Sequence, residues 1–194
     1  MTAIPIVLAS SSPRRQWILR QIGIPFIVMP SRVDEEVGLQ EKPLELVRSV
    51  AVEKARDVAR RLVEGIVVGA DTVVVCGEGV LGKPRDQEDA AAMLASLSGR
   101  AHQVHTGLAV FDVASGRELV EVETTVVHFR RITRSEIDRY VLTGEPLDKA
   151  GAYGIQGMGA LFVDRIEGCF YNVVGLPVAR LYAMLREFGL MKGE

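Results

Sequence analysis

The sequence predicts an α/β fold built on a mixed sheet. Short β-branched runs alternate along the chain with segments of helical apolar spacing, the pattern of strands covered by helices. One pair of runs is joined only by Gly77-Glu78-Gly79, a turn that folds the chain straight back and so requires an antiparallel portion in the sheet. The hydrophobic content, 48% of 194 residues, is ample for one core, and a single domain over residues 1–194 is expected.

Ile4 to Ala9 is an apolar run that breaks at Ser10-Ser11-Ser12-Pro13 and is followed by Arg14 and Arg15, which reads as strand, tight loop and helix. Ser12 is a good N-cap and Pro13 a good first helical residue, so a helix to about Ile22 is expected, burying Trp17, Ile18 and Ile22. Phe26 to Met29 follows as a short strand, then a polar loop from Pro30 to Lys42 carrying Asp34, Glu35 and Glu36. Pro43 opens a long helix to about Val63, ended by Gly65, with Leu46, Val47, Val50, Ala51, Ala55 and Val58 at helical spacing. Ile66 to Val68, Thr72 to Val75 and Val80-Leu81 read as strands, the last two as the hairpin. Asp86 to Leu97 reads as a helix closed by Gly99. His102 to Val113 and Glu118 to Arg130 are long strands around the turn Ala114-Ser115-Gly116, and Thr133 caps a helix to about Leu142. A glycine-rich stretch, Gly144 to Gly159, leads to a strand from Leu161 to Ile166, a polar loop, and a last helix opening at Leu176-Pro177.

A net charge of −2 and a pI near 6.0 give no general attraction to nucleic acid or to an anionic membrane, so a polyanionic ligand must be met by a local basic cluster. No apolar run approaches the roughly 18 residues of a membrane helix, and no secretory leader pattern opens the chain, so a cytoplasmic location is expected. Cys76 and Cys169 lie far apart in no ligand-spaced pair, which argues against zinc and against a disulfide framework.

The arginines after Pro13 stand where a helix already carries about half a positive charge, a poor place for cations unless an anion sits there too. Serine hydroxyls, first-turn N–H groups and two guanidiniums at one helix start are the donors of a phosphate site; the alternative is a solvated helix start whose arginines pair with carboxylates elsewhere. Gly77 to Gly82 matches G-x-G-x-x-G, and Gly77 to Lys83 the start of a P-loop, but both motifs need a strand-to-helix turn, and these glycines punctuate a hairpin. Gly154, Gly157 and Gly159 read as backbone that must approach something closely. His102 and His105, three apart on a strand, point to opposite faces and make poor metal ligands, and His128 reads as a partly exposed structural histidine. Asp71, within Gly69-Ala70-Asp71-Thr72, lies among residues that favour burial, and a buried carboxylate costs several kcal/mol unless it is paired, hydrogen-bonded or bound to metal. Lys54 and Lys83 are the candidate partners; either also suits a solvated surface.

Eight segments in order carry a family resemblance: Leu8-Ala9-Ser10-Ser11-Ser12-Pro13-Arg14-Arg15, Asp34-Glu35, Glu53-Lys54-Ala55, Gly69 to Val74, Gly82-Lys83-Pro84, Ser98-Gly99 with His105-Thr106-Gly107, Asp148 to Gly157, and Asn172 to Pro177. Over this span the chain resembles the Maf nucleotide pyrophosphatases, the septum-formation inhibitor proteins. Ser11 stands where many relatives have glycine. The resemblance implies an elongated mixed β-sheet flanked by helices, two lobes with a central cleft like that of inosine triphosphate pyrophosphatases, and hydrolysis of a nucleoside triphosphate to the monophosphate and pyrophosphate. At Arg14, Thr72 and Gln156 the chain looks like the branch acting on dTTP and UTP, and a glutamine amide offers the donor and acceptor that match O4 and N3–H of uracil or thymine.

The resemblance assigns the general-base role to Asp71. Site chemistry adds a divalent cation, Mg²⁺ or Mn²⁺, held by Glu35 and Asp71, with Arg14, Arg15, Lys54 and Lys83 on the triphosphate and Lys149 supporting it; Ser10, Ser12, Thr72 and Gln156 complete the substrate-binding set. The expected partner is a nucleoside triphosphate, without nucleic acid or membrane, and a homodimer is the assembly the reading admits. The alternatives are a CTP or modified-purine triphosphate pyrophosphatase and a nucleotide-binding regulator of cell division.

Overall fold

The computed structural model describes residues 4–33 and 42–191. The strands are β1 (Ile6–Leu8), β2 (Ile27–Val28), β3 (Ile66–Cys76), β4 (Gly79–Leu81), β5 (Ala101–Asp112), β6 (Glu118–Phe129) and β7 (Val163–Glu167). The helices are α1 (Pro13–Gln21), α2 (Pro43–Ala59), α3 (Gln87–Leu97), α4 (Arg134–Leu142), α5 (Phe170–Val174) and α6 (Val178–Glu187). The strands form one seven-stranded mixed sheet in the order β2-β1-β3-β5-β6-β7, with β4 paired to β3. β1 runs parallel to β2 and β3, in register Leu8↔Val28 and Leu8↔Val68, whereas β4 on β3 and β7 on β6 are antiparallel. The α/β mixed sheet expected from the sequence is therefore present, hairpin included.

The chain divides into two compact units, Met1–Asp71 with Thr106–Glu123 and Gly175–Glu194, and Thr72–His105 with Thr124–Val174. In the first, α2 lies on the sheet through small residues: Val7, Ala9, Ala51, Ala55, Val58, Ala59, Val67 and Ala109 share one apolar cluster. Two glycines set how close the helix comes. A Cβ at Gly69 would overlap the Ala51 carbonyl, and one at Gly107 the Val47 carbonyl, so backbone meets backbone at both positions. The buried stripe of α2 is the one expected, extended by Lys54 and Ala59.

In the second unit, α3 and α4 cover Val74, Val104, Val127 and Phe129, and an edge-to-face aromatic group gathers around Phe129, with Tyr153 at 4.8 Å and Phe162 at 6.0 Å between ring centroids. α4 opens with a full capping box, Thr133 and Glu136 each bonding the other's backbone N–H.

Several expectations are corrected. Trp17 and Ile22 are exposed, because the buried stripe of α1 is Arg15, Ile18 and Leu19, at i, i+3 and i+4. α2 ends at Ala59, short of Val63. Gly69 to Asp71 do not break the strand but continue it as β3. The second strand is only Ile27–Val28. The stretch from Glu145 to Phe162 contains three 3₁₀ turns, which delays β7 to Val163, and the polar loop after it holds the short helix α5.

Candidate active site

The serine loop follows from β1. Ala9 N–H still donates to the Val68 carbonyl at 2.8 Å, so the chain leaves the sheet at Ser10, alongside the stretch of β3 that leads to Asp71. Ser10 is buried, and its hydroxyl accepts from Ser12 N–H at 3.2 Å and from Arg15 Nη1 at 3.1 Å. Ser12 caps α1 through Arg15 N–H at 3.5 Å, with Pro13 in the first turn, as expected. Arg15 is 8% exposed, and its Nε donates to the Gly175 carbonyl at 2.8 Å, which ties the loop to the residue two before Pro177. Arg14 is half-buried on the same first turn. The two arginines thus differ in kind: Arg15 is a strut in the loop, and Arg14 the more open cation.

Asp71 is buried on β3, and Lys54, 4% exposed on α2, donates to its Oδ1 at 2.8 Å. The pairing has a sequence cause. Side chains alternate along a strand, so Val67, Gly69 and Asp71 share the face on which α2 lies. With no side chain at Gly69, the helix drops onto the sheet between Ala51 and Ala55, and Lys54, one residue before Ala55, reaches Asp71. Of the two candidate lysines the structure selects Lys54. A carboxylate has a second oxygen with its own lone pairs, so the ion pair leaves Asp71 acceptor capacity for water or a hard cation. Glu35, the other expected metal ligand, lies outside the described residues. Among the described residues no group of three or more His, Cys, Asp or Glu side chains is placed to hold a metal ion.

The second unit carries Thr72, half-buried beside Asp71 in sequence, and Lys83, exposed just after β4 and before the buried Pro84. Lys149 Nζ donates to the Glu145 carbonyl at 2.5 Å and to Asp148 Oδ1 at 2.6 Å. Gln156 is exposed in the turn closed by Gly157 N–H on the Gly154 carbonyl at 3.2 Å.

The histidines are structural. His102 is buried with Nε2 2.9 Å from the Tyr153 hydroxyl, and burial, with a smaller contribution from His128, lowers its pKa to about 4. Burial also lowers that of His105, whose Nδ1 meets Thr124 Oγ1 at 2.9 Å. His128 is half-buried against Glu167. Cys76 and Cys169 are free thiols.

Sequence reasoning missed three buried or bridging groups. Asn172 donates through Nδ2 to the Val104 carbonyl and Thr125 Oγ1, both at 3.0 Å, stapling α5 to the strands. Tyr140 and Glu145 bond each other at 2.8 Å beneath the Gly154–Gly159 backbone. The signal for the last two was the glycine spacing itself, which required a partner without naming one.

The family model for Maf-like proteins matches residues 5–188. The chain belongs to the Maf family. Among Maf relatives, proteins of Symbiobacterium thermophilum and Carboxydothermus hydrogenoformans are 54% and 53% identical to it, each over 95% of this chain and over 94% and 98% of their own lengths. One of Desulforamulus reducens is 47% identical over 96% of this chain and 97% of its own length. All three are named dTTP/UTP pyrophosphatase. The Maf resemblance carried by the motifs is thereby confirmed. No helix among the described residues is long and apolar enough to cross a membrane.

Proposed function

We propose that this Maf protein hydrolyses dTTP and UTP to the nucleoside monophosphate and pyrophosphate. Relatives of about half-identical sequence carry that activity in their names. The structural observation that carries the reading is the buried Asp71 carboxylate, held by Lys54 on the strand that runs beside the serine loop.

In this reading Asp71 takes the proton of the water that attacks the α-phosphorus, and Lys54 fixes the carboxylate's orientation. Arg14 and Lys83, with Ser10, Ser12 and the first-turn N–H groups of α1 in the loop that Arg15 braces, bind the triphosphate and stabilise the charge that grows on departing pyrophosphate. Lys149 supports the phosphate-binding set through the turn it braces. Thr72 and Gln156, with Arg14, select the base, the Gln156 amide matching the donor and acceptor edge of uracil or thymine. Asp71, together with Glu35, offers the oxygen donors that suit Mg²⁺ or Mn²⁺, and such an ion when bound would neutralise phosphate charge. The cytoplasm is the compartment of the reaction.

The test is the product. Incubated with UTP or dTTP and Mg²⁺ or Mn²⁺, the enzyme should release monophosphate and pyrophosphate, because attack is at the α-phosphorus. Diphosphate and orthophosphate would place the attack at the γ-phosphorus and overturn the reading.

A further inference from the structure

Gln156 stands at the second central position of the Gly154–Gly157 turn, and the backbone on both sides of it is tied to one place. Glu145 Oε2 accepts from Met158 N–H at 3.0 Å, and Oε1 accepts from Gly159 N–H at 3.4 Å. The Tyr140 hydroxyl donates to Glu145 Oε1 at 2.8 Å and accepts from Gly154 N–H at 3.0 Å. The turn therefore hangs from a single carboxylate, directly on its later side and through Tyr140 on its earlier side. The glycines are what this arrangement demands. A Cβ at Gly157 would collide with the Glu145 carboxylate, and one at Gly159 would come within 2.8 Å of the Tyr140 hydroxyl. Glu145 is itself held, because Gly144 turns the chain out of α4 at φ +74°, Thr143 Oγ1 accepts from Glu145 N–H at 3.1 Å, and Lys149 Nζ grips the Glu145 carbonyl.

Packing alone does not call for a carboxylate here. The span from Gln156 to Met158 is exposed, and a glycine turn is the segment of chain with the most freedom to lose. Charge-assisted bonds from the Met158 and Gly159 N–H groups after this exposed side chain, and the bond from Gly154 N–H to the Tyr140 hydroxyl before it, restrict that side chain's origin. We propose that Glu145 and Tyr140 are positioning residues that fix the Gly154–Gly157 turn, and thereby set where Gln156 presents its amide to the nucleotide base. The proposal rests on Gln156 as the base contact of the function proposed above.

The experiment compares kcat/KM for UTP and CTP in Tyr140→Phe, Glu145→Gln and Glu145→Ala, with Gln156→Glu measured in parallel. Tyr140→Phe removes one hydroxyl without changing the shape of the core, and Glu145→Gln puts a donor where Met158 N–H needs an acceptor. Both should lower the UTP-to-CTP ratio by about 3- to 10-fold, and Glu145→Ala by at least as much, with pyrophosphate still the product. A purely structural role would depress the two substrates alike. An unchanged ratio in folded Tyr140→Phe overturns the clamp whatever the Glu145 variants do, and if Gln156→Glu still shifts the ratio, the base contact itself stands. If Gln156→Glu also leaves the ratio unmoved, the base contact and the clamp fall together.

Discussion

Asp71→Asn keeps the shape of the side chain and an acceptor for Lys54, but removes the carboxylate proposed as the proton acceptor. Turnover of UTP should fall on the order of 10²- to 10⁴-fold. Removing one partner of a buried ion pair also costs stability, up to about 3–5 kcal/mol where no acceptor remains, so the thermal midpoint must be read beside the rate. Wild-type turnover in a folded Asp71→Asn protein would remove Asp71 from the chemistry and favour the nucleotide-binding regulator. His102 carries a prediction about pH. Its folded pKa lies near 4 against an ordinary 6.5, because burial opposes the imidazolium and Nδ1 has no hydrogen-bond partner among the described residues. The unfolded chain therefore takes up this proton first. The native state keeps its full stability above pH 6.5 and loses roughly 3 kcal/mol as the pH falls from 6.5 to about 4. In His102→Gln the denaturation midpoint should fall less steeply over that interval, and equal slopes would show that the acid sensitivity lies elsewhere. At this scale the sequence announced Asp71 as a carboxylate in need of a partner, since its neighbours are apolar. It did not divide the roles of Arg14 and Arg15, because a buried arginine is recognised only by the carbonyl it meets, and Gly175 lies 160 residues away.

The elements were legible where local chemistry fixes them. Ser12-Pro13, Asp86 and Thr133 cap the helices expected of them, and the glycines after Cys76 turn the hairpin. They were less legible where neighbours decide. Trp17 is apolar in type, yet it lies off the stripe defined by Ile18 and Leu19, and that stripe is completed by Arg15. α5 is five residues long, too short for a periodic signal, and Asn172 holds it in place through partners distant in the chain. The seat of α2 on the sheet is another such case, because glycine in a strand reads as weakness until a helix is seen to rest on it. Gly107→Ala tests that seat. The added methyl would overlap the Val47 carbonyl, so α2 must lift, at a cost of about 1–3 kcal/mol or more. Gly79→Ala, whose Cβ would meet its nearest neighbour at an ordinary 3.6 Å, should change stability by much less. Comparable losses in urea midpoint for the two would show that α2 is not seated through this glycine.

Over the whole molecule, a net charge of −2 means that no diffuse field draws phosphate to the surface. On the proposed function, attraction for a triphosphate is concentrated in the arginine and lysine side chains named above, and recognition of the base comes from a few groups such as Gln156. A ligand that binds only the folded chain stabilises it by mass action, by about 2.7 kcal/mol at one hundred times its dissociation constant. For a chain of this length each kcal/mol is worth about 2–4 °C, so saturating UTP or dTTP should raise the melting midpoint by roughly 5–10 °C. Asp71→Asn is the protein to use, because slow turnover keeps the triphosphate intact and the loop of Ser10 to Arg15 is unaltered. ATP at the same concentration should give a smaller shift, since it shares the phosphates but not the edge assigned to the Gln156 amide in the proposed function. RNA at equal phosphate concentration should give none and should leave the shift by UTP in place. A shift of equal size with ATP would mean that the phosphates alone are recognised, and the selectivity assigned to Arg14, Thr72 and Gln156 would have to be withdrawn. Competition by RNA would instead reveal a basic surface that the net charge conceals.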